Sequence, residues 1–160
     1  MQKFDVVALG ELLVDFTENG MSGQGNTILE ANPGGAPCNV LSMLQRLGKK
    51  TAFIGKVGND NFGRMLRDVV SEQGINTDNV IFDDDIHTTL AFVHTKEDGD
   101  RDFSFYRNPG ADMMLRKNEI NESLLENTKF WYTFNDRRKN RRDNKICGRK
   151  IKKYGGSDFI

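Results

Sequence analysis

A glycine-rich stretch carries residues whose types and spacing suit the binding of a polar ligand. Gly34-Gly35-Ala36-Pro37-Cys38-Asn39 stands where a predicted loop meets a predicted helix. Glycines there let backbone N–H groups approach a ligand, and the start of a helix adds a partial positive charge. Asn39 can both donate and accept hydrogen bonds, which suits a ligand rich in hydroxyl groups. An ordinary loop end is the alternative, since glycine-rich turns are common.

Asp15 is a second candidate for ligand binding. It follows the first predicted strand, within Gly10-Glu11-Leu12-Leu13-Val14-Asp15. A carboxylate at the C-terminal edge of a parallel sheet faces the crevice in which such folds bind ligands. A turn or capping aspartate is the alternative, and position alone favours that alternative.

The histidines and cysteines do not form the patterns of a metal site or a disulfide framework. His87 and His94 have no third ligand at metal-binding spacing, so no metal site is predicted. Cys38 and Cys147 form no CxxC pair, and Cys38 is expected to be a small buried side chain. This cysteine usage fits a reducing cytoplasm. No stretch approaches 18 apolar residues, so no membrane partner is expected.

Alternating strand and helix patterns supply the framework that must position these residues. The predicted strands are residues 4–10, 13–17 and 51–57, and the predicted helices begin at Pro37, after Asn59-Asp60 and around Ile120. The first helix has apolar residues at i, i+4 and i+7 and is closed by Gly48, and the second ends at Gly74. This alternation is typical of an α/β protein with a parallel sheet.

Two further segments interrupt the alternation. Residues 18–34 are rich in glycine and asparagine and are predicted to form a loop. Residues 88–107 contain two strand-like arms joined by a polar turn with Asp-Gly, which predicts a hairpin. Phe103 and Phe105 would face the same side of that hairpin. A hairpin inserted in such a series often projects from the main sheet as a flap.

The charge distribution divides the chain near residue 129. The 160 residues are 37% hydrophobic and 29% charged with a net charge of zero, which excludes a disordered acidic or basic chain. Residues 1–129 hold 13 Lys+Arg against 20 Asp+Glu, whereas residues 130–160 hold 10 against 3. We therefore predict a folded part over 1–129 and a basic tail over 130–160, which shows neither strand nor helix periodicity.

The glycine-rich stretch and its surroundings resemble the N-terminal signature of the PfkB-type, or ribokinase-like, sugar kinases. The resembling segments, in chain order, are Gly10-Glu11 to Asp15, Gly34 to Asn39, Phe53 to Gly63 and Phe105 to Met113. They look most like the fructokinase branch, and the resemblance runs through about residue 129. It departs at Leu41, where the family signature prefers a small residue, and we expect that departure to affect packing.

The resemblance implies a ribokinase-like αβα sandwich with a β lid over a bound sugar, here truncated. The substrate-binding residues that it implies are Asp15, Gly34, Gly35, Asn39, Phe105 and Arg107. Asp15 would accept hydrogen bonds from two sugar hydroxyls, with Phe105 as an apolar wall and Arg107 as a donor. The implied reaction is phosphorylation of fructose or a related sugar with ATP and Mg²⁺. A homodimer through the lid is the implied assembly.

The resemblance also implies that part of the catalytic machinery is missing. PfkB-type kinases are about twice this long, and their catalytic aspartate, anion hole and most of their ATP site lie in the C-terminal half. Their Gly-Ala-Gly-Asp motif does not occur here, and Gly110-Ala111-Asp112 lacks the second glycine. We therefore assign no catalytic residue and expect a sugar-binding part that is inactive alone. A weak sugar-binding fragment without turnover is the alternative.

The basic tail fits an out-of-frame reading of a kinase gene. Back-translation of Phe130 to Asp136 in the next frame permits Phe-Gly-Thr-Leu-Ser-Met-Thr, which is similar to the strand that the family has here. A genuine short protein with a basic tail is the alternative. Nucleic-acid binding, with Trp131, Tyr132 and Phe134 as stacking groups, is less favoured, because A-rich out-of-frame sequence yields Lys and Arg without selection.

Overall fold

Two four-stranded sheets organise the protein, whose computed structural model describes residues 4–96, 98–126 and 128–133. In chain order the strands are β1 (Phe4–Leu9), β2 (Leu13–Met21), β3 (Thr27–Gly34), β4 (Thr51–Gly58), β5 (Asn76–Asp83), β6 (Leu90–Thr95), β7 (Arg101–Tyr106) and β8 (Thr128–Thr133). The main sheet is parallel and has the order β5-β4-β1-β8. The second sheet has the order β3-β2-β6-β7.

Helices cover both faces of the main sheet, which confirms the αβα sandwich. They are α1 (Ala36–Arg46), α2 (Asn61–Glu72) and α3 (Glu122–Glu126), with 3-10 turns at Ala111–Met114 and Lys117–Glu119. All eight residues of β4 are buried, and neighbouring side chains enter different cores. Phe53 packs with Leu41 and Leu66 of the first two helices, whereas Ile54 packs with Leu124 and Leu125.

The predicted helices form where their caps and apolar faces require. A proline lies in the first turn of α1, and Leu41 is fully buried, as expected for a packing position. The N-terminus of α2 is capped by the Asp60 carboxylate, which accepts a hydrogen bond from the backbone N–H of Gly63 at 2.8 Å. No helix in the described part of the chain is long and apolar enough to cross a membrane.

The second sheet is larger than the predicted flap. The hairpin predicted over 88–107 is confirmed as β6 and β7, but the loop predicted over 18–34 is wrong. That segment completes β2 and forms β3, and the two strands pair antiparallel. Its turn-forming residues lie at the tip of the hairpin, where Gly20 and Gly25 have positive φ. After the tip, Thr27-Ile28-Leu29 have β-branched and apolar side chains and begin β3. The parallel pairing of β2 with β6 then joins the two hairpins.

The strand β8 begins before the predicted charge boundary and continues past it. It pairs in parallel with β1 and includes residues 130–133, so the change in charge does not mark the end of regular structure. Trp131 packs against the core that contains Phe4, and Tyr132 packs against the opposite core. This packing argues against a role for either ring in stacking on nucleic-acid bases. Phe134 and the rest of the basic tail lie outside the described residues.

Candidate functional site

Asp15 lies within β2, in the second sheet. Its sequence position suggested the C-terminal edge of the main sheet, but the chain leaves that sheet after β1, before residue 13. The strand register aligns Asp15 with Ala91 of β6, which in turn pairs with Phe105 of β7. Asp15 and Phe105 therefore share one face of the second sheet, separated by two strand spacings, or about 10 Å.

The two glycines at the end of β3 are needed for close contacts with β2 and the segment before it. A Cβ atom added to Gly34 would lie 2.2 Å from Oδ2 of Asp15. Gly35 has a φ of +120°, and a Cβ atom there would lie 2.5 Å from the backbone oxygen of Glu11. The sequence predicted glycines that let a ligand approach the backbone. The structure adds that the same glycines let Asp15 and Glu11 approach the backbone of β3 closely.

The carboxylate of Asp15 is a hydrogen-bond acceptor that has no donor within the described part of the chain. Its side chain is half-buried, and burial raises the pKa of Asp15 above its usual value. No described residue donates a hydrogen bond that would offset the cost of burying this charged group. A partly desolvated carboxylate of this kind gains most from a ligand that brings hydroxyl donors.

Arg107 follows β7 directly and is held between two carboxylates. Its Nη2 atom donates to Oε2 of Glu11 at 2.9 Å and to Oδ2 of Asp112. The hydroxyl of Thr89 donates to the other oxygen of Asp112, whose side chain is only 2% exposed. Burial opposes the charge of Arg107, but the hydrogen bonds and charges of Asp112 and Glu11 outweigh it and raise the pKa of Arg107.

The Arg107 guanidinium retains donors for a ligand. Its Nε atom is buried and has no hydrogen-bond acceptor within the described part of the chain. The hydrogen bonds to Glu11 and Asp112 both use Nη2, so neither occupies Nη1. Because Nη1 carries two of the five N–H donors, Arg107 can bind a ligand oxygen through Nη1 without releasing either carboxylate.

Glu11 joins these residues into one continuous site at the end of the second sheet where β2 begins and where β3 and β7 end. Its backbone oxygen lies against Gly35, and its side chain binds Arg107. Gly35 follows Gly34, which lies against the Asp15 carboxylate. The structure therefore brings four predicted residues together around Glu11, which the prediction did not assign to the site.

Phe105 and Asn39 border this site and are exposed. The ring of Phe105 is 53% exposed and lies beside Phe103, with ring centroids 6.0 Å apart. The two rings form an apolar surface on the face that carries Asp15. Asn39 lies in α1, one turn after Gly35, whose carbonyl accepts its backbone N–H at 3.2 Å. No side-chain hydrogen bond links Asn39 to the other site residues in the ranges that the structure describes.

Sequence reasoning did not assign Glu11, Thr89 and Asp112 to the site. Asp112 was set aside because its Gly-Ala-Asp sequence lacks a glycine of the family motif. A usable signal was present, because an arginine at the base of an apolar hairpin needs an acidic partner when it is buried. The partner five residues later is Asp112, but only the fold shows that Glu11 reaches the same nitrogen.

The histidines do not combine with other groups into a metal site. His87 Nδ1 lies 3.6 Å from Asp60, and His94 Nδ1 lies 3.3 Å from Glu18 on the second sheet. Over residues 4–96, 98–126 and 128–133, no group of three or more His, Cys, Asp or Glu side chains could hold a metal ion. Cys38 is buried, as predicted, and burial raises the pKa of its thiol to about 12.

Comparison with known proteins identifies the family. Residues 3–136 match the pfkB family carbohydrate kinases. The chain is 45% identical over 129 residues to the probable fructokinase-5 of Arabidopsis thaliana, covering 79% of this chain and 40% of that protein.

Solved structures show the same relationship at the level of the fold. A fructokinase from Xylella fastidiosa superposes with a TM-score of 0.86 at 28% identity, covering 99% of this chain and 49% of that one. The same enzyme with bound ATP gives a TM-score of 0.84 at 27% identity, covering 99% and 50%. The chain thus spans about two fifths to one half of the relatives that it matches. It belongs to the pfkB family of carbohydrate kinases.

Proposed function

We propose that this chain binds fructose or a related sugar on the Asp15 face of its second sheet. It would thereby form the sugar-binding part of a kinase that phosphorylates a primary hydroxyl with ATP. The observation that carries the proposal is the Asp15 carboxylate, which is half-buried, lies against Gly34 and has no donor among the described residues. The fructokinase names of the relatives support fructose as the first sugar to test.

Each site residue has a role that its chemistry supports. Asp15 accepts hydrogen bonds from two sugar hydroxyls, and charge-assisted bonds of this kind discriminate sharply between hydroxyl geometries. Phe105 covers the C–H face of the sugar, and Arg107 donates from Nη1, which neither Glu11 nor Asp112 occupies. Gly34, Gly35 and the side chain of Asn39 complete the wall of the pocket. Closure of the second sheet over the sugar would exclude water from the reacting hydroxyl.

ATP and Mg²⁺ are the proposed cofactors, and the ATP-bound fructokinase of Xylella fastidiosa supports the first of them. When bound, they supply the phosphoryl group and neutralise its charge. The chain lacks the Gly-Ala-Gly-Asp sequence of the family, and its described residues hold no acidic cluster suited to a metal ion. We therefore assign only the sugar side of the reaction to this chain and expect no turnover by it alone.

The assay that tests this proposal is ATP-dependent phosphorylation of a sugar panel by the 160-residue chain. A longer version, with the reading frame after residue 129 restored to the family sequence, runs beside it. Turnover of fructose by the longer version, and not by the short chain, would support the proposal. Turnover by the short chain would show that its own residues supply the catalytic base. Fructose binding without turnover in either protein would favour a non-catalytic sugar-binding fragment.

The proposal includes an out-of-frame origin for the segment that begins near residue 130. The first half of strand β8 does not distinguish the two readings, because Thr128 to Phe130 are the same in both. Sequencing the locus decides between them. A shifted frame that continues as kinase-like sequence supports this origin, whereas an intact frame without such sequence contradicts it. The proposed assembly is a homodimer through the second sheet, where Tyr106 is 68% exposed, and the proposed location is the cytoplasm.

A further inference from the structure

Asp112 links Arg107 to a buried threonine, Thr89. One carboxylate oxygen of Asp112 accepts a hydrogen bond from Nη2 of Arg107, and the other accepts one from the hydroxyl of Thr89. The side chain of Asp112 is 2% exposed and Thr89 is 1% exposed, so a sugar in the site has no access to either group. Both residues can therefore influence a bound sugar only through Arg107.

Close packing fixes this linked group of side chains. Gly110 lies beside all three of them. A Cβ atom on Gly110 would lie 2.7 Å from Oδ1 of Asp112 and 3.0 Å from Cγ of Arg107, and closer still to Oγ1 of Thr89. Only glycine therefore fits at this position, and the side chains have little room to rearrange.

Thr89 is anchored to both sheets. Its backbone oxygen accepts the N–H of Val14 in β2 at 3.1 Å. The hydroxyl of the preceding residue, Thr88, accepts the backbone N–H of Gly58 at the end of β4, at 3.0 Å. The same hydroxyl donates to the carboxylate of Asp60, the N-terminal cap of α2, at 2.8 Å. Asp112 is therefore held by a segment that the main sheet fixes in place.

We infer that Thr89 and Asp112 are positioning residues, which hold the guanidinium of Arg107 in the orientation that binds the sugar. This inference rests on the proposed function, since it concerns a donor of the same sugar site. A long arginine side chain that is ordered only on binding loses rotamer freedom at that moment, and the loss weakens binding. Here the two residues impose the orientation before the sugar binds, which lowers this cost.

The hydroxyl of Thr89 is the group to remove. Thr89→Val deletes it with little change in shape, and Thr89→Ser keeps it. The matched control is Thr51→Val, because Thr51 is 2% exposed and its hydroxyl donates to Oε1 of Gln45 at 2.7 Å. Both valine variants remove a buried hydroxyl that donates to a side chain, so a general effect of losing such a bond would appear in both. Calorimetric titration of the 160-residue chain and each variant with D-fructose gives the affinities.

We expect Thr89→Val to weaken fructose binding about tenfold, since a hydrogen bond to a charged group that orients a ligand-binding side chain is lost. Thr89→Ser and Thr51→Val should keep the affinity of the unaltered chain within about twofold, because the bond to Asp112 remains in both. Equal affinity of the unaltered chain and folded Thr89→Val would overturn the inference.

NMR of the Arg107 guanidinium tests the positioning directly and needs no sugar. A guanidinium held in one orientation shows separate Nη1 and Nη2 signals, whereas rotation about the Nε–Cζ bond exchanges them. We expect separate signals in the unaltered chain and in Thr51→Val, and exchange about tenfold faster in Thr89→Val. The signals are assigned by their loss in Arg107→Lys. Weaker fructose binding with an unchanged exchange rate in Thr89→Val would show that Thr89 acts by another route, and would overturn the inference.

The exchange measurement on the unaltered chain requires no variant, so it decides the question even where Thr89→Val does not fold. Averaged Nη1 and Nη2 signals in the unaltered chain would overturn the inference, and separate signals would support it. Failure of the proposed function is a separate outcome. If the unaltered chain binds no fructose, the proposed function fails, and the exchange rates then decide alone. Faster exchange in Thr89→Val supports the positioning role, and an unchanged rate refutes it.

Discussion

The carboxylate of Asp15 occupies the space that any side chain at position 34 would need. A Cβ atom on Gly34 would lie 2.2 Å from Oδ2 and 2.7 Å from Cγ of Asp15. Since Asp15 is the acceptor on which the proposed sugar site depends, the glycine and the carboxylate form one functional unit. A change at either residue should alter sugar binding, although the two residues lie on different strands.

Gly34→Ala should weaken the free energy of sugar binding by more than it lowers the free energy of unfolding. The new methyl group forces the Asp15 carboxylate to another position, and side-chain overpacking of this kind destabilises a fold by about 1–3 kcal/mol. Gly23→Ala is the matched control, because an added Cβ there meets nothing within 4 Å. Fructose titration and thermal unfolding of both variants check this. Undiminished affinity in folded Gly34→Ala would show that the position of Asp15 is not critical.

Asp15→Asn should make the fold less sensitive to pH and slightly more stable near neutral pH. Because burial raises the pKa of Asp15, its protonated form is favoured in the folded state. The contribution of Asp15 to stability is then fully present below the usual value of 3.8 and is lost as pH rises through the raised folded value. Denaturant unfolding of both proteins between pH 3.5 and 7 measures the difference. A variant less stable than the parent at pH 7 would contradict this sign.

Lys56→Met should destabilise the fold by roughly 3 kcal/mol, because it leaves two carboxylates without their buried partner. Lys56 lies in β4 with its side chain 6% exposed, 2.6 Å from Glu119 and 3.2 Å from Asp83. Lys96→Met is the matched control, since the Lys96–Asp100 pair is exposed and such pairs contribute less than about 1 kcal/mol. Urea unfolding at pH 7 should separate the two variants clearly.

The same cluster predicts a specific acid sensitivity. Burial opposes ionisation of Asp83 and Glu119, but hydrogen bonds from Lys56 and from backbone N–H groups outweigh it and lower the pKa of both carboxyls. Their contribution to stability is present above the usual values of 3.8 and 4.5 and is lost as pH falls through the lowered folded values. Lys56→Met should flatten this acid-side loss, and an unchanged slope would place the acid sensitivity elsewhere.

Local periodicity was enough to predict both long helices and the hairpin of β6 and β7. It failed for β3, because the glycines and asparagines of the hairpin tip dominate the composition of residues 18–34. It also missed β5, whose first half, Asn76-Thr77-Asp78-Asn79, is polar and shows no alternation. In both cases, pairing with a neighbouring strand outweighs weak local preference.

The site was predictable as far as the family signature reaches, and no further. The signature supplied Asp15, the two glycines and Arg107, but it could not show that Asp15 lies in the second sheet. It also could not show that Glu11, 96 residues away from Arg107 in the chain, binds the same nitrogen as Asp112. Contacts of this kind depend on how the two sheets meet, which local sequence does not encode.

Titration of D-fructose into the 160-residue chain, beside Asp15→Asn, tests the central claim most directly. The account predicts saturable binding that the substitution weakens about 100-fold, because two hydrogen bonds to a charged group are weakened at once. Calorimetry measures both affinities, and circular dichroism verifies that the variant is folded. Absence of saturable binding, or equal affinity in the two folded proteins, would contradict the assignment of this chain as the sugar-binding part of a carbohydrate kinase.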